Sequence, residues 1–137
     1  MGLCLYVFDH TDDEDEPEEL AWCDVGHYSD FGCFRDTIAR NVPVGSCPTL
    51  MTHSDSDGEW TLEQVALLER ELKMVAEVFQ SVPAEELQGG FKHAAEYRVG
   101  ARTLYECFHD VDGENLFEAL LELCRVAREN NRPITFM

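Results

Sequence analysis

Val65, Leu68, Leu72, Val75 and Phe79 recur at intervals of 3, 4, 3 and 4 residues, one apolar seam through about five helical turns. Glu63, Glu69, Arg70, Glu71, Lys73 and Glu77 decorate the other side. Thr61 and Gln64 form a T-x-x-Q capping box at its start, so the helix is predicted to begin at Thr61 and to end before Pro83 and Gly89-Gly90. A helix this long and one-sided must be covered by an apolar layer from elsewhere in the chain. Two further segments repeat the pattern. Leu116, Phe117, Leu120, Leu121, Cys124 and Ala127 predict an inward face on a last helix, with Asp112 as its cap and Asn130-Asn131-Arg132-Pro133 as its stop. Phe31, Phe34 and Ile38 predict a helix over 31–41, capped by Ser29 or Asp30, with Arg35, Asp36 and Arg40 outward.

The covering layer is expected from β-rich runs. Residues 2–8, GLCLYVF, are nearly continuously apolar and read as a buried strand. LAWCDV (20–25) reads as a second, pairing with the first as a hairpin closed by a long loop. PTLMTHS (48–54) is short and β-like, an expected third strand, and the terminal ITFM returns to the sheet. Residues 91–108 are ambiguous and are read as helix broken at Gly100. The order β–β–α–β–α–(α)–α–β predicts an α+β fold over residues 1–137, one domain with helices packed on a small mixed sheet.

Charge constrains function more than fold. The formal net charge is −18, with 28 acids against 10 Lys and Arg. Asp12, Asp13, Glu14, Asp15, Glu16, Glu18 and Glu19 crowd one proline-containing run that reads as a solvated loop at about 11–19. Removing those seven takes the charge from −18 only to −11, so the acidity belongs to the whole fold. Such a surface repels nucleic acid and anionic membranes and steers basic proteins toward it. It also keeps a protein soluble with no basic partner at all.

Six cysteines stand at 4, 23, 33, 47, 107 and 124, with none in a C-x-x-C arrangement. The start, MGLCLYVFDH, lacks a cationic flank, a long apolar stretch and a cleavage site, so reduced thiols and a cytoplasmic location are expected. Tyr6 stands where a myristoylation signal needs Ser or Thr, and no apolar run approaches the ~20 residues of a membrane span.

The densest cluster of polar chemistry is His53-Ser-Asp-Ser-Asp-Gly-Glu-Trp60. If Gly58 were the sixth position of a calcium loop, His53 would be the first and Gln64 the twelfth, where a carboxylate and a bidentate Glu are needed. Both fail. His53 with Asp55 or Asp57 could form an acid/base pair or centre a small metal-binding domain, with His27 or His109 nearby. No nucleophile elbow, Cys–His pattern or phosphate loop accompanies them. The structural reading explains more. Asp57 and Glu59 favour a helix N-terminus, Gly58 permits the turn, and Trp60 can staple onto Val65. The same grammar recurs before the last helix, at His109-Asp-Val-Asp-Gly-Glu-Asn115.

Three segments, YSDFGCFRDTIA, HSDSDGEW with its long helix, and LYECFHDVDGENLFEALLELC…RPITFM, resemble the immunity proteins of bacterial polymorphic-toxin systems, and among them the Immunity protein 70 family. The similarity runs from the first strand to the terminal PITFM, with the acidic run at 12–19 as a local insertion. The resemblance implies a cytoplasmic, non-catalytic inhibitor with no cofactor, no metal, and no nucleic-acid or membrane partner. Its implied partner is a cognate toxin C-terminal domain, expected to be basic, as a nuclease would be. Expected partner contacts are the acids Asp12, Asp13, Glu14, Asp15, Glu16, Asp55, Asp57, Glu59, Asp110 and Asp112, with aromatic anchors among Trp22, Tyr28 and Trp60.

Overall fold

A computed structural model of the chain describes residues 2–9, 18–53, 58–87 and 100–137. Strand β1 (Gly2–Phe8) pairs antiparallel with β2 (Glu19–His27), as the hairpin reading expected. The backbone then enters α1 (Tyr28–Asn41) directly, three residues earlier than the apolar spacing suggests. Neither Ser29 nor Asp30 is the cap residue. His27 is, and Asp30, fully buried at the third helical position, accepts a hydrogen bond from its backbone N–H at 2.8 Å.

The segment expected as a third strand is instead a short helix, α2 (Pro48–Thr52). Pro48 sits at its first position, where its fixed φ suits a helix and its missing N–H costs nothing. The deciding partner is remote. Glu71, expected on the solvent side of the long helix, is buried, and its carboxylate accepts from Thr49 N at 3.4 Å and Leu50 N at 3.0 Å. Those are donors a helix start leaves orphaned, and a carboxylate there also complements the positive end of the helix. A local β-like pattern lost to a tertiary cap.

Strand β3 (Glu59–Trp60) precedes the long helix α3 (Leu62–Gln80), with Thr61 as cap: Gln64 N donates to Thr61 Oγ1 at 3.4 Å and Thr61 N to Gln64 Oε1 at 2.9 Å. All five seam residues of α3 are buried. A 3₁₀ turn (Ala84–Glu86) and the short α4 (Leu104–Cys107) follow. The ambiguous region is thus helical only over Leu104–Cys107 among its described residues, after Gly100 in the left-handed region at φ 91°, and 91–99 lie outside them.

Helix α5 (Leu116–Asn130) starts three residues later than an Asp112 cap would place it. Asn115 is the cap, accepting from Glu118 N at 3.2 Å. Its buried face takes Leu123 rather than Leu121. Asn131 ends it at φ 54°, letting Arg132 N–H reach back to Ala127 O at 2.9 Å. The last strand, β4 (Ile134–Phe136), pairs with both β1 and β3.

The sheet order is β2-β1-β4-β3, and all its pairings are antiparallel, so the sheet is not the mixed one expected. The α+β class expected from element order is the one found. Leu3, Leu5, Val7, Cys23 and Val25 are buried, whereas Cys4, Tyr6, Phe8 and Asp24, one residue out of phase, are half-buried. Helices therefore cover one face of the hairpin, as alternation requires. Behind that face Phe34, Phe79, Phe108 and Phe117 interlock at centroid distances of 5.2–5.8 Å, joining α1, α3, α5 and the segment before α5. Cys23 and Cys124 contribute to this core as free thiols. Burial pushes both up, Cys124 to about 12, so they stay protonated small hydrophobes.

The Glu71 cap is testable by urea unfolding. Glu71→Ala strands two buried N–H groups and is expected to cost about 2 kcal/mol, with Glu71→Gln costing less because one acceptor survives. A loss under about 0.5 kcal/mol for the alanine variant would refute the cap.

Candidate functional site

The two polar junctions singled out in the sequence separate in role. At the first, His53 is turned inward on its own chain. Its ring stacks on Phe136 at 4.1 Å, and Nε2 lies 2.9 Å from Glu59 O. Trp60, expected as a partner anchor, is fully enclosed: its indole N–H donates to Thr49 O at 3.0 Å and its ring meets Phe136 edge-on at 4.6 Å. Gly58 adopts φ 86°, a Cβ there would meet the His53 ring at 3.4 Å, and its carbonyl accepts from Phe136 N at 2.9 Å. The described part of this junction is a clasp holding α2 and α3 to β4. Glu59 remains exposed beside it. Asp55 and Asp57 lie outside the described residues, as do Asp12, Asp13, Glu14, Asp15 and Glu16.

The second junction is a closed turn. Asp110 N donates to Glu114 O at 2.8 Å, Glu114 N donates to Asp110 Oδ1 at 2.9 Å, and Gly113 supplies the left-handed residue at φ 86°. Val111 N then donates to Asp24 O at 2.9 Å, stitching the turn to the outer edge of β2. Asp110 is only 4% exposed, and burial, its largest influence, raises its pKa above the ordinary 3.8, with Asp112 and Glu114 adding repulsion. It is the turn's internal acceptor rather than a free contact. Asp112 is exposed.

Between this turn, the edge of β2 and the flank of α5 runs a cleft of about 330 Å³. Ala21 and Trp22 form one wall, Glu118, Ala119, Glu122 and Leu123 the other, and Asp110, Asp112 and Glu114 close one end. Glu122 is held below the usual carboxylate range by its hydrogen bond to Arg125, which also binds Glu129. Among the described residues no cation pairs with Asp112, Glu114 or Glu118. The cleft is acidic, and of these carboxylates Glu122 has a cation partner.

Trp22 is 59% exposed, and its cross-strand neighbour Tyr6 stacks on Phe8 at 5.3 Å. An aromatic strip on the face away from the helices therefore meets the acidic cleft at Trp22. The Glu118 and Glu122 contribution had no sequence signal, because it depends on α5 lying beside β2. Trp22 had one: in ELAWCDV it falls in phase with Asp24 and out of phase with Cys23 and Val25.

A second concavity, about 310 Å³ between the end of α1 and α2, is lined by Ile38, Val42, Val44, Pro48 and Met51 among others, and among the described residues no charged side chain lines it. Among the described residues no group of three His, Cys, Asp or Glu is placed to hold a metal ion, and no helix is long and apolar enough to cross a membrane.

The sequence model of the family described as Immunity protein 70 matches residues 18–136, from the second strand through the last. The chain belongs to the Immunity protein 70 family. The match begins at the last two acids of the acidic run and takes in both polar junctions, β2 and α5, so every described wall of the cleft is family sequence. No curated protein and no solved structure matches the chain.

The raised pKa of Asp110 means that the folded state disfavours its charge. Its ionised form therefore subtracts stability at neutral pH, and the penalty fades as pH falls through the folded-state value toward 3.8. Asp110→Asn, which keeps the acceptor for Glu114 N, is expected to melt higher than wild type at pH 7, with the gap closing in acid. Calorimetry at a series of pH values checks this, and a gap that does not narrow in acid contradicts it.

Proposed function

We propose that this chain neutralises a cognate toxin domain by binding it stoichiometrically, acting as a non-catalytic inhibitor in the cytoplasm. The family match over residues 18–136 carries the reading. The charge supports it: a chain at −18, with a cleft in which Asp112, Glu114 and Glu118 have no cation partner among the described residues, favours a basic partner. Nuclease toxins need basic surfaces to hold phosphate, so an acidic inhibitor competes for the same groups. Long-range attraction raises the encounter rate, and contacts at the centre of the interface set the lifetime of the complex.

The reading is tested by co-expressing the chain with the toxin domain encoded by the adjoining gene. A one-to-one complex that abolishes toxicity is expected, and its absence would sink the immunity role. Stopped-flow association is expected to slow by about tenfold or more between low and physiological ionic strength. A rate indifferent to salt would remove the basic partner while leaving inhibition standing.

A further inference from the structure

β2 is an outer strand of the sheet, and the described residues cover only part of its outer edge. Val111 N–H bonds Asp24 C=O at 2.9 Å, so the carbonyl of Asp24 points away from β1. The register Cys4↔Asp24, Leu5↔Cys23, Tyr6↔Trp22 runs without a break between them. In an antiparallel ladder, backbone groups two residues apart point the same way, so the N–H and C=O of Trp22 also face outward. Among the described residues nothing bonds them. Natural edges are blunted with lysine, proline or a covering segment. Glu19–Cys23 carries neither residue type, and among the described residues only the 110–114 turn caps the strand, at Asp24.

We infer that the partner adds an extended segment to the β2 edge beside Trp22, with alternating basic and apolar side chains. This deepens the inhibitor reading above and rests on it. A strand laid there continues the row that Val111 begins, and its side chains alternate between two environments. Those on the helix side enter the cleft of Glu114 and Glu118, which selects Lys or Arg. Those on the open side pack over Trp22 and Tyr6, which suits apolar or aromatic residues. Charge decides the occupant. A second copy of this chain would bring the same carboxylates together on two molecules each at −18, whereas a basic strand is attracted.

The test uses the adjoining-gene toxin domain and variants that share the wild-type melting temperature. Trp22→Ala keeps the outward N–H and loses the ring, and is expected to weaken binding by about 10- to 100-fold. Trp22→Pro also removes the outward N–H while leaving the β1 pairing intact, as prolines on edge strands do, and is expected to weaken it by about a further 5-fold or more. Glu114→Gln with Glu118→Gln is expected to flatten the salt dependence, and Glu77→Gln on α3 to bind like wild type. Hydrogen exchange on the wild-type complex reads the same bond without mutation: the Trp22 amide is expected to slow at least about 10-fold on binding. A complex that forms with Trp22 amide exchange unchanged overturns the edge pairing and leaves the inhibitor role intact. A proline variant that binds as well as the alanine variant also overturns it. If wild type forms no complex, both fall together.

Discussion

The pairing of the first strand with the last organises this fold. β1 becomes an interior strand only because β4 returns beside it, with Cys4 and Met137 exchanging both backbone hydrogen bonds at 3.0 and 2.9 Å. That contact spans nearly the whole chain, so its loop-closure entropy must be met by the helices packed between. β4 in turn anchors the junction before α3. Phe136 donates to Gly58 O, stacks under His53 and meets Trp60 edge-on, and Trp60 reaches Thr49 in α2. Remove β4, and the clasp between α2, β3 and α3 loses its floor.

This dependence explains why residues that look chemical are structural. A histidine, a glycine and a tryptophan within eight residues suggest a site. Their groups are instead spent on backbone carbonyls and on one phenylalanine ring. The same holds for Asp110, which spends its carboxylate on its own turn. Each junction lets the chain change direction between sheet and helix, and each uses a glycine at φ 86° to do so.

Much of the fold was legible from local rules. The 3-4-3-4 seam and the Thr61–Gln64 box located α3, and the terminal apolar runs located β1 and β4. What failed was non-local. α2 reads as a strand until Glu71, over twenty positions away, is seen to cap it. Asp112 looks like a helix cap until the turn it sits in is closed by Asp110 and Glu114, leaving Asn115 that task. The cleft was half legible. Its acids at 110–114 and Trp22 stand out in the sequence, but their meeting with Glu118 is a product of packing.

The distribution of charge follows from the same packing. Lys73, Arg125 and Arg128 sit on the ridge where α3 meets α5, bound to Glu69, Glu122 and Glu129. That ridge is locally neutral. Those cations are taken up by the acids of the ridge, and among the described residues none pairs with Asp112, Glu114 or Glu118 in the cleft toward β2. The fold tolerates this because Asp112 and Glu118 stay exposed, where water and salt screen repulsion to a few tenths of a kcal/mol per pair. A partner that covers the cleft removes the screening and strengthens each attraction to its own cations. One helix thus carries an ion-paired side toward α3, while Glu118 on its flank toward β2 has no cation partner among the described residues.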